Sequence, residues 1–422
     1  MKTFDLIEKK KNGGELTEGE LAFFVRGVTS GEIPDYQLSA MLMAICLRGM
    51  TDGEAAVLTR EMASSGETMD LDSLGIGDGS CDKHSTGGVG DKTTLIVAPA
   101  AAACGVRVVK MSGRGLGATG GTADKLESIP GFSCSLTTGR FVSLVKENGV
   151  AVACQGDELA PADKRLYALR DVTATVDSIP LIASSVMCKK LASGAHSIVL
   201  DVKYGSGAFM KTADEAEALA HLMVKIGEAH GRRMSVTATD MNRPLGFAVG
   251  NILEVNEAVR VLRGEESGEL FDLSVRLTAE MVRLALGKDG DSSEKAAREA
   301  ILTGAAYEKF LTLVEAQGGD ATPLKAGGYY LVPAAERYEF RAEKDGYFTS
   351  PDAGLTGKAS VALGAGRAKK GDAVDPAAGI LLHKKDGERV RAGEVTAEIF
   401  APDKEKLRDG AELMKKAFAA VS

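Results

Sequence analysis

The sequence predicts an α/β fold: a small helical lobe, a larger lobe with a mostly parallel sheet covered by helices, and a C-terminal α+β subdomain. Three observations carry this expectation. Helix signals follow one another through the first 65 residues, short β-branched runs then alternate with helical stretches, and glycine-punctuated short segments fill the part after about residue 326.

Taken in order, Thr17-Glu18-Gly19-Glu20 and Thr51-Asp52-Gly53-Glu54 have the spacing in which a hydroxyl and a carboxylate satisfy each other's free backbone N–H groups. Each marks a helix start. Between them, residues 36–48 are rich in Leu, Met and Ala, with Pro34 before and Gly49 after. From residue 71 onward, strands are expected at 106–111, 150–154, 198–202 and 234–238, with helices at 92–104, 138–148 and 212–230 between them. Helices expected at 161–176 and 179–192 have no strand between them and are assigned back to the helical unit. The expected domains are 1–66 with 161–193 (helical), 70–160 with 194–330 (α/β), and 335–422 (C-terminal, closed by a helix over 404–420). A cleft between the first two is where a ligand is expected.

Composition excludes several classes. Acidic residues exceed basic ones by 59 to 51, a net charge of -8 that repels a phosphate backbone, so no nucleic-acid partner is expected. The 6 cysteines show no CxxC pair and no zinc-ligand spacing, which points to free thiols in a reducing compartment. Lys9, Lys10 and Lys11 are followed by no apolar run, and residues 94–106 are too few to span a bilayer, so a cytoplasmic protein with no membrane partner is expected. Glycine, at 50 of 422 residues, exceeds its usual share of about 7% and needs a cause.

Nine of these glycines lie in two loops at the ends of expected β segments. The first, residues 78–94, contains Asp82-Lys83-His84-Ser85-Thr86-Gly87-Gly88-Val89-Gly90-Asp91 and runs into a helix. Glycines let backbone N–H groups approach an anion, the helix N-terminus adds positive potential, and Lys83 with several hydroxyls adds donors. Asp91 interrupts the Gly-Lys-Thr adjacency of a nucleotide-triphosphate loop, so ATP is not expected. The second, residues 110–127, contains Ser112-Gly113-Arg114-Gly115-Leu116-Gly117 and Thr119-Gly120-Gly121-Thr122, again with a lysine. Two such loops at strand ends of one sheet converge on one anion. Ser185 and Lys189, four apart on an expected helix, share a face, and Arg170 lies on the helix before it.

These segments, with Asp124-Lys125-Leu126-Glu127, Tyr167-Ala168-Leu169-Arg170-Asp171-Val172-Thr173-Ala174-Thr175-Val176, Ser178-Ile179-Pro180-Leu181-Ile182, Leu200-Asp201-Val202-Lys203 and Pro244-Leu245-Gly246, resemble the thymidine and pyrimidine-nucleoside phosphorylases over nearly the whole chain. The resemblance implies a pentosyltransferase of nucleoside salvage or catabolism. Inorganic phosphate, the co-substrate, attacks C1′ of uridine, deoxyuridine or thymidine and releases the base and α-D-(deoxy)ribose 1-phosphate. It implies no organic cofactor and a homodimer formed through the helical lobe. By residue, it implies that Lys83, Ser85, Thr94, Lys110, Ser112 and Thr122 hold phosphate, and that Arg170, Ser185 and Lys189 hold the pyrimidine. His84, whose titration range suits proton transfer or a hydrogen bond to the base carbonyl, is the catalytic candidate.

Some relatives carry a monovalent cation such as K+, which maps here to Gly90, Leu245, Ala248, Glu257 and position 92. That position is a threonine in many relatives and Lys92 here, so an ammonium group stands where the ion is expected. A second departure is Ala118, where relatives commonly carry a histidine that lies close to the nucleoside. Two alternatives are a phosphoribosyltransferase of the anthranilate type, which needs magnesium and pyrophosphate, and a non-catalytic nucleoside-binding homologue.

Overall fold

The computed structural model describes residues 1–115, 120–154, 156, 158–369 and 371–421. Five strands, β1 (Ser80–Ser85), β2 (Arg107–Ser112), β3 (Val150–Cys154), β4 (Ser197–Tyr204) and β5 (Arg233–Asp240), form one sheet in the order β3-β2-β1-β4-β5. Every neighbouring pair is parallel, with Val108 opposite Val150 and Asp82 opposite Ile198. The chain steps outward from β1 through β2 and β3, then crosses to the other side for β4 and β5. That reversal opens a crevice beyond the carboxyl ends of β1 and β4.

Side-chain alternation divides the sheet among three cores, one of them formed by Val109, Met111, Ala151 and Ala153 with helix Thr138–Asn148. Val108, Val150, Val152 and Val199 share a core with helices Thr93–Ala103, Asn251–Leu262 and Glu269–Leu286. Ile198, Leu200 and Val202 share another with helix Ala213–Ala229 and the helical lobe. That lobe comprises helices Thr3–Lys11, Glu18–Ser30, Asp35–Arg48 and Asp52–Ala63, and helices Pro161–Arg170 and Ile179–Ala192 pack into the same core. Thr17–Glu20 and Thr51–Glu54 both form complete capping boxes at their helix starts. Glu54 also accepts from Leu16 N and from Lys10 Nζ, each at 2.8 Å, and so ties three segments together.

Three elements depart from the expectations. Residues 80–85, expected in a loop, are the central strand of the sheet. Their polarity hid them: Asp82 and Lys83 are buried by pairing with opposite charges, so this strand needs no apolar run. The helix expected over 161–176 ends at Arg170, whose guanidinium donates to the carbonyls of Thr175, Val176 and Leu181 and folds the following turn back on itself. Beyond residue 326, helix Ala353–Leu363 stands among the expected turns. The strands there are β7 (Glu336–Arg341), β8 (Gly346–Tyr347), β9 (Gly379–Leu382), β10 (Arg389–Val390) and β11 (Val395–Ala401). β8 and β10 form a small antiparallel ribbon, whereas β7, β9 and β11 join β6 (Ala248–Gly250), from the larger lobe, in the order β6-β9-β11-β7. The C-terminal segment is therefore stitched to the larger lobe by backbone hydrogen bonds.

On the outer edge of β3, one side chain satisfies Val152. Gln317 Oε1 accepts from Val152 N at 2.9 Å, while Nε2 donates to Val152 O at 2.9 Å and Ser133 O at 2.8 Å. Gln317→Ala strands these groups in a buried place, at about 1–3 kcal/mol for each orphaned group. The expected result is a clearly lower urea midpoint with turnover retained in buffer; an unchanged midpoint would show that Val152 is satisfied by other means.

Candidate active site

A cavity of about 830 Å³ lies over the carboxyl ends of β1 and β2, against helices Pro161–Arg170 and Ile179–Ala192. Ser85, Thr94, Lys110, Ser112 and Thr122 line one part of it, and Arg170, Ser185 and Lys189 line another, with His84 also in the wall. The fold thus gathers nearly all the predicted residues around one space. Lys83 is the exception. Alternation along β1 sends Asp82 and His84 to one face and Lys83 to the other. There Lys83 donates to Thr93 Oγ1 at 2.7 Å and lies 3.4 Å from Asp201.

Lys83 acts on the loop that follows β1. The Asp91 carboxylate accepts from Ser85 Oγ, from Thr93 N at 3.2 Å and from Thr93 Oγ1 at 2.6 Å. Burial pushes the Asp91 carboxyl up, but the ammonium groups of Lys83, Lys203 and Lys125 outweigh it and hold the pKa well below the usual range. The loop therefore folds around a fixed anion, and the Ser85 proton is spent on it. This leaves the hydroxyls of Thr94, Ser112 and Thr122, and the lysines behind them, facing the cavity.

Those lysines belong to a buried triad. Lys190 Nζ donates to Asp82 Oδ2 at 2.7 Å and to Met111 O at 2.8 Å. Lys110 Nζ donates to Met111 O at 3.0 Å but lies 3.6 Å from Asp82 Oδ1, beyond hydrogen-bonding reach, so it keeps donors to spare. Burial, against the pull of Asp82, brings the Lys110 pKa down to about 7. His84 is affected too. Burial first, then Lys190, Lys110, Lys83 and Lys189, hold its imidazole well below 6.5. His84 is a neutral hydrogen-bonding group here, which corrects the expectation that its ordinary titration range is in play.

On the opposite wall, Lys189 pairs with Asp163 at 2.7 Å, and burial is outweighed by Asp163, so its ammonium stays charged. Arg170 is no surface ion pair. It is buried, and its guanidinium and the Lys189 ammonium lie 5.5 and 5.9 Å from the centre of the Tyr167 ring.

The predicted cation set also converges, though around a different charge. Lys92 Nζ donates to Leu245 O and Ala248 O, each at 2.8 Å, and pairs with Glu257 Oε2 at 2.6 Å. A Cβ on Gly90, whose φ is +74°, would stand 2.6 Å from Leu245 O. The residues therefore do not fit a metal ion: Lys92 cannot be a ligand, because its ammonium fills the space among the oxygens that an ion would need.

Sequence inspection missed Asp82, Lys190, Asp163, Tyr167 and Arg367. Lys190 adjoins Lys189, and Tyr167 lies one turn before Arg170, so both carried a local signal. Arg367 carried none. It arrives from the C-terminal segment to donate to Gly115 O at 3.2 Å and to Asp124 Oδ1 at 2.8 Å, bracing the second glycine loop. The expectation about Ala118 falls outside the described residues. Among the described residues, no helix is long and apolar enough to cross a membrane.

Residues 4–66 match the glycosyl transferase family helical bundle domain and residues 77–307 its a/b domain. Residues 347–420 match the pyrimidine nucleoside phosphorylase C-terminal domain. A pyrimidine-nucleoside phosphorylase of Staphylococcus epidermidis (strain ATCC 35984) is 52% identical over 407 residues, covering 96% of this chain and 93% of that one. Its namesake in Staphylococcus aureus (strain USA300) is 52% identical over 405 residues, covering 95% and 92%. The chain belongs to the pyrimidine-nucleoside phosphorylase family. The fold is shared more widely: the anthranilate phosphoribosyltransferase of Thermus thermophilus superposes with a TM-score of 0.59 at 21% identity, covering 74% of this chain and 98% of that one.

For a phosphorylase of this family, the pKa of Lys110 has a consequence that can be measured. An anion at this wall favours charged Lys110, so its affinity is full below about pH 7 and is lost as the pH rises through that value. Sulfate keeps its charge over this range and serves as a probe. Its inhibition constant is expected to rise about tenfold between pH 6 and pH 8, the ratio of the charged fractions, and Lys110→Met should flatten the profile. A flat profile in the unmutated protein would separate Lys110 from the anion.

Proposed function

We propose that this protein catalyses the reversible phosphorolysis of pyrimidine nucleosides, with uridine, deoxyuridine and thymidine as substrates. The observation that carries this is the pairing of two unlike walls across one cavity: hydroxyls with Lys110 and Lys190 on one side, Arg170, Ser185 and Lys189 on the other. Phosphate held by the first wall attacks C1′ from below. The sugar passes through an oxocarbenium-like state, and negative charge grows on the departing base. Arg170 and Lys189 stabilise that charge, Ser185 hydrogen-bonds the pyrimidine edge, and neutral His84 donates to the base carbonyl. No covalent nucleophile is required. The Lys189–Asp163 and Arg170–Tyr167 contacts support this reading, because they hold the base wall rigid before substrate arrives. Exposed Phe4, Tyr36 and Leu47 on the helical lobe support a homodimer formed there.

The reaction is tested by incubating each nucleoside with and without phosphate, in the presence of a metal chelator, and following the ultraviolet change on base release. Phosphate-dependent release is expected, and release from none of the three would refute the assignment. In the same assay His84→Ala should lower kcat by about 10²-fold or more, the effect of losing a donor to a developing anion, with little change in phosphate KM. A neutral His84 also predicts no activity limb near pH 6.5 that disappears in the variant.

The tethered ammonium of Lys92 replaces the monovalent cation of some relatives. Turnover and melting temperature should therefore be the same in potassium and in choline chloride. Lys92→Thr leaves Glu257 buried without its partner, at about 3–5 kcal/mol, and potassium should restore the lost stability. Potassium-dependent turnover in the unmutated protein would refute this replacement.

A further inference from the structure

Two thiols and a carboxylate meet outside the cavity, where none of the chemistry above uses them. Cys154 ends β3, and its N–H donates at 2.7 Å to the carbonyl of Cys134, which follows helix Thr122–Glu127. This bond sets the two cysteines side by side. One ligand atom each of Glu127, Cys134 and Cys154 lie within 4.8 Å of one another. Bonds of about 2.3 Å to sulfur and 2.0–2.2 Å to oxygen place the ligands of a tetrahedral ion a little under 4 Å apart. Small side-chain rotations close that gap.

The surroundings are also those of a metal site. Cys134 is buried while Cys154 and Glu127 are partly exposed, so the fourth position is open to water. The Glu127 carboxylate is already oriented, accepting from Cys134 N at 3.2 Å through one oxygen and from Arg114 through the other. Two sulfurs with one oxygen suit a d¹⁰ ion without geometric preference and exclude Ca²⁺ and Mg²⁺, which take oxygen ligands.

We propose that Glu127, Cys134 and Cys154 form a binding site for one thiophilic divalent cation, Zn²⁺ in chemical class. On binding, each thiol passes its proton to solvent as its metal–sulfur bond forms. The ion competes with Arg114 for Glu127. Arg114 belongs to the glycine loop that lines the cavity, so occupancy is felt there. Metal binding at this site does not rest on the proposed phosphorolysis.

The test uses the full-length protein, reduced and stripped of metal. It is titrated with Cd²⁺ while the ultraviolet thiolate-to-cadmium band is followed, and then with Zn²⁺ in competition. Saturation at one equivalent and displacement by Zn²⁺ are expected. Cys154→Ser, at a partly exposed position, should abolish the band, and Glu127→Gln, which keeps both thiols, should weaken binding by at least ~10-fold. Cys104→Ser, whose thiol lies apart near the Ala296 carbonyl, should change nothing. Melting curves verify that each variant is folded. Absence of the band in the reduced protein, its persistence in Cys154→Ser, or unweakened binding in Glu127→Gln would overturn the site.

Discussion

The rest of the molecule is arranged around the Asp82 carboxylate, fully buried in the central strand of the sheet. An unpaired charge there would cost several kcal/mol, so the fold must bring cations to it. Lys190 comes from helix Ile179–Ala192, which packs with the helical lobe, and Lys110 comes from the neighbouring strand. Asp82 thereby docks the lobe onto the sheet. It also leaves two ammonium groups facing one carboxylate, and the surplus positive charge lies at the cavity wall. Burial first, and that surplus after it, account for the neutral His84 and for the lowered pKa of Lys110.

A protein with net charge -8 concentrates positive charge in one place by sorting its cations. Lys83 and Lys203 serve Asp201, Lys125 serves Glu254 and the Asp91 carbonyl, and Lys92 serves Glu257 with two carbonyls. These are structural, bound to partners that leave their ammonium groups little to offer a ligand. Lys110, short of partners, and Lys189, paired with Asp163, line the cavity instead. Arg170 does both, since it pins a turn with three carbonyl bonds while lining the cavity.

Local chemistry made much of this legible. Helices 138–148 and 179–192 and strand 150–154 coincide with their observed bounds because apolar period, proline and glycine signals agree there. The glycine loops marked the cavity mouth for the same reason. β1 was not legible, because its burial rests on Lys190, Lys110 and Asp201, residues far along the chain. Neither was the end of helix Pro161–Arg170, which Arg170 sets by bonding carbonyls beyond it, nor the joining of β6 to the C-terminal sheet. Spacing rules likewise passed over Cys134 and Cys154, which a backbone bond between distant segments makes neighbours.

The sequence by itself determined many of the helices and the more apolar strands, the family, and the residue types gathered at the cleft, because caps, periodicity and motif spacing act over a few residues. Which of those residues face the cavity was decided only by the tertiary structure. Alternation along β1 turns Lys83 away and His84 inward, and the Leu245 and Ala248 carbonyls with Glu257 convert Lys92 from a metal neighbour into the cation itself. A long side chain takes its role from the partner it reaches, and those partners meet only when the chain is folded.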